Sequence, residues 1–170
     1  IASWWCNVHG HGRPEIRRAI TRQLRTLDHV LFAGFTHEPA IRLSEELIRL
    51  APKGLARVFY SDDGSTAVET ALKMSIQYWH NSGRSRKNRF VALDHGYHGD
   101  TCGAMGLGGV SLFTRPFRPL LRRSFSVPSP YCYRCPLVKT HPECGIACLD
   151  PLDRLLRRER DRIAASGFTP

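Results

Sequence analysis

Short apolar strand patterns alternate with amphipathic helix patterns along this chain, and the alternation restricts the folds that the chain can adopt. It is typical of an α/β fold with a mostly parallel sheet flanked by helices. Strands are predicted at residues 56–61, at 89–94 and within 120–128. Helices are predicted to begin at Pro14, to begin after a cap at Thr36 or His37, to cover 66–82, and to run from Asp150 through Ile163.

Length and composition exclude several classes of protein. The chain has 170 residues, 42% of them hydrophobic and 24% charged, which suits one globular domain and excludes a disordered or collagenous protein. No apolar run approaches the roughly 20 residues that a membrane-spanning helix needs. We therefore expect no membrane partner, and the start of the sequence does not resemble a signal peptide.

The positive charge of the chain is distributed rather than concentrated. Lys and Arg number 25 against 15 Asp and Glu, a net charge of +10, which suits either a nucleic-acid partner or an anionic ligand. The basic residues fall in four separate segments and alternate with apolar residues at helical or turn spacing. Solvated helix faces explain most of this pattern, so we expect no nucleic-acid partner.

Four of the six cysteines lie in one segment, residues 130–148, with His141 among them. Paired thiolates at such separations suit tetrahedral zinc, but the spacing is irregular and buried thiols are an alternative explanation. We expect no metal in this chain and a reduced, cytoplasmic setting. The four positions are Cys132, Cys135, Cys144 and Cys148.

A first candidate site follows the strand predicted at 56–61. The sequence Asp62-Asp63-Gly64-Ser65-Thr66 leads into the next helix, where Thr66 and Glu69 have the spacing of a capping box. A glycine followed by hydroxyl side chains at a helix amino terminus can bind a phosphate, because the first amides are unpaired and carry partial positive charge. An ordinary capped turn explains the same residues.

A second candidate site follows the strand predicted at 89–94. Residues 96–100, Gly-Tyr-His-Gly-Asp, place an aromatic ring and an imidazole at the edge of the sheet where open α/β folds bind ligands. The alternative is a turn with a partly buried tyrosine. Because both segments follow neighbouring strands, we expect them to form one site.

The amino-terminal motif is the third candidate. Trp4 and Trp5 are adjacent and cannot both enter one core from a strand, so one of them is expected to line an opening. His9 and His11 have a spacing that metal ligands use, but structural histidines are several times more common.

Together these segments resemble the class III pyridoxal-phosphate aminotransferases. The resemblance covers residues 1–128, and within the class it is strongest to the members that act in biotin synthesis. It is carried by residues 3–5, 9–11, 32–40, 61–69, 71–79 and 96–101.

The resemblance implies a fold-type-I large domain, present here in part. Residues 1–52 would lead into that domain, and residues 53–170 would form part of it, with the Cys-rich loop at 130–148. In such enzymes Gly64 and Ser65 would hold the cofactor phosphate and Tyr97 would stack on the pyridine ring. The expected cofactor-binding residues are Gly64, Ser65, Tyr97, His98 and Asp100, and the expected walls of the substrate site are Trp4 and Trp5.

The resemblance also implies an activity. We expect a homodimeric enzyme that transfers an amino group from S-adenosylmethionine to 7-keto-8-aminopelargonate, giving 7,8-diaminopelargonate. Another class III aminotransferase, acting on an ω-amino acid or an amine, is the alternative within the class. Outside it, a zinc-stapled basic binding module and a non-catalytic structural remnant remain open.

Transamination needs a lysine that carries the cofactor as a Schiff base. In the family that lysine lies beyond the end of this sequence, and the lysines present here fall in helices, turns or the Cys-rich loop. We therefore expect an amino-terminal piece of a longer enzyme, inactive alone, with an artificial terminus where residues 164–170 replace an apolar strand. The lysines are Lys53, Lys73, Lys87 and Lys139.

Overall fold

The structure, a computed structural model that describes residues 2–108, 110–122 and 124–168, divides the chain into two units. The first unit comprises residues 1–59 and the second residues 60–170. The assignment of 1–52 and 53–170 to a leading segment and a large domain stays a prediction. Among the described residues, no helix is long and apolar enough to cross a bilayer.

Two helices and a left-handed turn form the first unit. The turn is Ala2–Trp5, in which all residues have positive φ. Helix α1 covers Pro14–Leu24 and α2 covers Glu38–Leu50, as predicted. His37, rather than Thr36, caps α2, because its Nδ1 accepts a hydrogen bond from the Ala40 amide at 3.4 Å.

A parallel sheet of three strands forms the centre of the second unit. Its strands are β1 (Arg89–Leu93), β2 (Phe125–Val127) and β3 (Ile163–Phe168), in the order β2-β1-β3. Val91 is aligned with Phe125 on one side and with Ser166 on the other. The predicted α/β class and the strands predicted at 89–94 and within 120–128 are confirmed.

Helices cover both faces of this sheet. Phe90 and Ala92 of β1 point to one face, where they pack with Leu72 and Leu107, and Val91 points to the other face. Because both faces are covered, β1 is apolar without alternation. The helices are α3 (Gly64–Asn81), α4 (Cys102–Leu107), α5 (Ser111–Thr114) and α6 (Asp150–Arg158), with 3-10 turns at Arg115–Leu120, Cys132–Arg134 and Ala147–Leu149.

The prediction of a strand at 56–61 is wrong. These residues form no strand, and Phe59 is 66% exposed. Apolar side chains favour an extended backbone, but a strand also needs hydrogen bonds from a neighbouring strand, and no described segment pairs with this one.

One predicted helix ends earlier than expected, and one helix was missed. The helix predicted to reach Ile163 ends at Arg158, because the amide of Arg162 donates to the carbonyl of Glu159 in a turn that brings Ile163 into β3. Residues 163–168 are thus a strand, although the sequence suggested a departure from strand there. Helix α4, in a glycine-rich segment, was not predicted at all.

The capping box of α3 involves a different pair of residues from the one predicted. Asp63, not Thr66, is the N-cap: its carboxylate accepts from the Thr66 amide at 2.9 Å, and the Thr66 hydroxyl accepts from the Asp63 amide at 3.0 Å. Both Asp63 with Thr66 and Thr66 with Glu69 have the required spacing, so spacing alone does not separate them.

Asp63→Ala should therefore destabilise the protein. Loss of an N-cap costs about 1 kcal/mol, so the free energy of unfolding of the full-length protein should fall by about that amount in urea denaturation. The neighbouring Asp62→Ala is the control and should change stability by less than about 0.5 kcal/mol, as ordinary surface substitutions do. Equal losses in both variants would contradict the assigned cap.

Candidate cofactor-binding site

The amino end of α3 and the loop that follows β1 are in direct contact. The Ser65 hydroxyl oxygen accepts a hydrogen bond from the Asp100 amide at 3.3 Å. Thirty-five positions separate the two residues in sequence. The structure thus brings together the two segments that the sequence analysis assigned to one site, at the edge of the sheet where β1 ends.

Gly99 makes this contact possible. Its φ of +117° lies where other residues are rarely found, and the residue is buried. A Cβ at this position would lie 2.6 Å from Ser65 Cβ and 2.9 Å from Ser65 Cα. Any larger residue must therefore push the loop away from α3.

Unpaired hydrogen-bond donors converge at the amino end of α3. The amides of Gly64 and Ser65 have no acceptor among the described residues, while the next amide, that of Thr66, is occupied by Asp63. The Ser65 hydroxyl accepts from Asp100 and keeps its own proton for another acceptor. With the partial positive charge of an 18-residue helix, these donors suit a phosphate group.

Asp100 connects Tyr97 to α3. The Tyr97 hydroxyl donates to the Asp100 carboxylate at 2.7 Å, while the Asp100 amide donates to Ser65. The hydrogen bond to Asp100 is the main cause that raises the pKa of Tyr97 above its usual value. Tyr97 is therefore a neutral phenol at physiological pH, and the residue, 38% exposed, is linked through Asp100 to the amino end of α3.

His98 folds back onto its own loop. Its Nε2 is buried and has no hydrogen-bond partner among the described residues, and burial lowers its pKa, so the imidazole is neutral at physiological pH. A Cβ at Gly96 would lie 2.9 Å from this nitrogen. The role of His98 in cofactor binding stays a prediction.

Trp4 and Trp5 lie in the first unit. Both side chains are exposed, at 69% and 72%, and their ring centroids are 5.8 Å apart. This agrees with the argument that adjacent tryptophans cannot both enter one core. Their assignment to the substrate site stays a prediction.

Glu69 was missed as a site residue, because the sequence analysis assigned it to a capping box. Its carboxylate instead accepts from the amides of Gly103 at 2.5 Å and Ala104 at 3.2 Å, in the first turn of α4. Burial acts to raise the pKa of Glu69, but the nearby Thr101 hydroxyl, the hydrogen bonds from the amides of Gly103 and Ala104, and the charge of Lys73 outweigh burial and lower the pKa. No local pattern signals a contact over 34 positions.

The Cys-rich segment shows free thiols. Among the described residues, no group of three His, Cys, Asp or Glu side chains is arranged to hold a metal ion. Hydrogen bonds from the backbone amides of Lys139, Leu137 and Val138 lower the pKa of the Cys135 thiol.

Comparisons with known proteins cover nearly the whole chain. The family model for class-III aminotransferases matches residues 1–167. Adenosylmethionine-8-amino-7-oxononanoate aminotransferase of Geobacter sulfurreducens is 44% identical over 171 residues, which cover 100% of this chain and 38% of that protein. The enzyme of the same name from Synechococcus elongatus is 58% identical over 121 residues, covering 71% of this chain and 28% of that protein.

Solved structures agree with the sequence relatives. The crystal structure of adenosylmethionine-8-amino-7-oxononanoate aminotransferase from Methanocaldococcus jannaschii superposes with a TM-score of 0.85 at 36% identity, covering 97% of this chain and 35% of that one. A PLP-bound amine transaminase from an uncultivated Pseudomonas species gives 0.83 at 35% identity, covering 92% and 36%.

Two features of these matches bear on the sequence analysis. The chain spans about a third of the length of the curated relatives it matches. The family match extends through the Cys-rich segment to residue 167, beyond the resemblance over 1–128.

Proposed function

This chain belongs to the class-III aminotransferase family, and from that premise we propose that the protein containing it is a pyridoxal-phosphate-dependent aminotransferase of biotin synthesis. Its reaction would transfer an amino group from S-adenosylmethionine to 7-keto-8-aminopelargonate and yield 7,8-diaminopelargonate. The observation that carries the proposal is the contact between Ser65 and Asp100, which joins a set of phosphate donors to an aromatic side chain.

The residues present fit pyridoxal phosphate. Its phosphate would accept from the amides of Gly64 and Ser65 and from the Ser65 hydroxyl, all of which lack acceptors among the described residues. Its flat ring would lie against Tyr97, which is partly exposed beside those donors. When bound, the cofactor supplies an aldehyde and an electron-withdrawing ring that make transamination possible.

The side chains of this chain would position the cofactor rather than react with it. Asp100 binds the Tyr97 hydroxyl and through its own amide links this side chain to the amino end of α3. The same hydrogen bond raises the pKa of the Tyr97 phenol, which stays a neutral donor to the Asp100 carboxylate.

We propose that the Schiff-base lysine lies outside residues 1–170. Lys87 donates to the carbonyls of Arg160 and Ile163, at 2.6 and 3.0 Å, and Lys73 lies beside Glu69 on α3. Lys53 belongs to the first unit and Lys139 to the Cys-rich segment. The proposal also includes a cytoplasmic homodimer with Trp4 and Trp5 at the substrate site.

A donor assay tests the substrate. Purified full-length protein should transfer an amino group to 7-keto-8-aminopelargonate from S-adenosylmethionine and not from simple amines. The second candidate, an amine transaminase, is favoured by the similarity to the Pseudomonas amine transaminase. Transfer from simple amines to pyruvate, with none from S-adenosylmethionine, would replace the first proposal with the second.

A further inference from the structure

Helix α3 holds the segment 99–104 at two points. Ser65 and Glu69 are four positions apart and therefore lie on the same face of the helix. Ser65 accepts from the Asp100 amide, and Glu69 accepts from the amides of Gly103 and Ala104. Three amides of one short segment are thus bound by two side chains one helical turn apart.

Glu69 approaches the backbone of Gly103 about as closely as Ser65 approaches that of Gly99. A Cβ at Gly103 would lie 2.7 Å from the Glu69 Cδ, so the glycine permits the carboxylate to reach the backbone. Carboxylates bind backbone amides more strongly than neutral acceptors do. Glu69 therefore fixes the start of α4 relative to α3.

Two residues of the candidate cofactor site lie in or just before the segment that α3 fixes. Tyr97 and Asp100 lie within a few positions of Gly103, and the loop has no other hydrogen bond from α3 among the described residues than those to Ser65 and Glu69. If the Glu69 contact is lost, only one hydrogen bond of 3.3 Å holds Asp100 at α3. Tyr97 is then linked to α3 by hydrogen bonds only through Asp100.

We propose that Glu69 is a positioning residue for the cofactor: by binding the amides of Gly103 and Ala104, it keeps the loop with Tyr97 and Asp100 against Ser65. The inference rests on the function proposed above. It predicts that Glu69 contributes to binding of the cofactor ring and contributes little to binding of the phosphate, because the phosphate donors belong to α3 itself.

Glu69→Gln in the full-length protein separates these effects. Titration of the cofactor-free protein should show an affinity for pyridoxal phosphate about tenfold lower than that of the wild type, because glutamine keeps a neutral acceptor but loses the charge that strengthens the hydrogen bonds. Affinity for inorganic phosphate, measured by calorimetry, should stay within about twofold. Asp153→Asn, which removes an exposed ion pair with Arg157 on α6, is the matched control and should change neither affinity.

Several results would overturn the inference. Unchanged affinity for pyridoxal phosphate, or equal losses for pyridoxal phosphate and phosphate, would leave Glu69 without a positioning role. A wild-type protein that binds no pyridoxal phosphate would instead refute the proposed function and this inference with it. If Glu69→Gln does not fold, Gly103→Ala is the alternative variant, because its methyl group would displace the Glu69 carboxylate. It should likewise lower the affinity for pyridoxal phosphate and leave the affinity for inorganic phosphate unchanged.

The stabilising effect of Glu69 should also depend on pH. Its pKa is lower in the folded protein than its ordinary value of 4.5, so its contribution is present above about that pH and is lost as the pH falls through the lower folded value. The stability difference between wild type and Glu69→Gln should therefore shrink on acidification below 4.5. Urea denaturation from pH 7 to 3 measures it, and a constant difference would contradict this prediction.

Discussion

Gly99→Ala should reduce the affinity of the full-length protein for pyridoxal phosphate by about 100-fold. A φ of +117° costs another residue about 1–3 kcal/mol, and the new methyl group would overlap Ser65. Either the loop moves, which breaks the hydrogen bond from Asp100 to Ser65, or α3 is displaced. Both responses separate Tyr97 from the phosphate donors. Equilibrium titration with the cofactor, followed by its visible absorbance, measures the loss.

Gly83→Ala is the control that separates the effect of a positive φ from the overlap of the new methyl group with Ser65. Gly83 also has a positive φ, of +72°, but a Cβ there would meet no atom within 4 Å. This variant should lose stability and keep its affinity for pyridoxal phosphate. If Gly99→Ala binds the cofactor as tightly as Gly83→Ala does, the contact between the loop and α3 is not needed for binding.

Ser65→Ala should have the second largest effect. It removes the acceptor for the Asp100 amide and a hydroxyl donor at the amino end of α3. Hydrogen bonds to charged groups contribute about 1.5–3 kcal/mol, so affinity for pyridoxal phosphate should fall by about 10- to 100-fold. Unlike Glu69→Gln, this variant should also lose affinity for inorganic phosphate, because in the proposed site Ser65 would contact the phosphate directly.

Ser75→Ala is a matched control on the same helix. Among the residues that the structure describes, the Ser75 hydroxyl donates only to the carbonyl of Ala71, at 2.8 Å, and the substitution is chemically identical. It should leave both affinities within about twofold. A Ser65→Ala variant that behaves like Ser75→Ala would exclude the amino end of α3 as the phosphate site.

Local sequence patterns predicted the elements whose stability depends on their own residues. The start of α1 at Pro14 and a cap of α2 at Thr36 or His37, which the structure places at His37, follow from helix-terminus chemistry, and β1 follows from an apolar run that is buried on both faces. Residues 56–61 have the same strand composition, yet they form no strand, because pairing depends on a neighbour elsewhere in the chain.

The candidate site was predictable in its residues and less so in its contacts. Glycines at 64 and 99 beside polar side chains marked both segments, and their position after neighbouring predicted strands suggested that they meet. The structure places them together through α3 and β1 instead, since the strand before Asp62 does not form. Glu69 could not be assigned from sequence, because its partners are 34 and 35 positions away.

A crystal structure of the full-length protein with bound pyridoxal phosphate is the most direct test of the central claim, that α3 and the loop after β1 bind one cofactor together. We predict a phosphate oxygen within about 3 Å of the Ser65 hydroxyl oxygen, with the pyridine ring stacked on Tyr97. A cofactor bound elsewhere, or a phosphate at α3 with its ring away from Tyr97, would contradict the account.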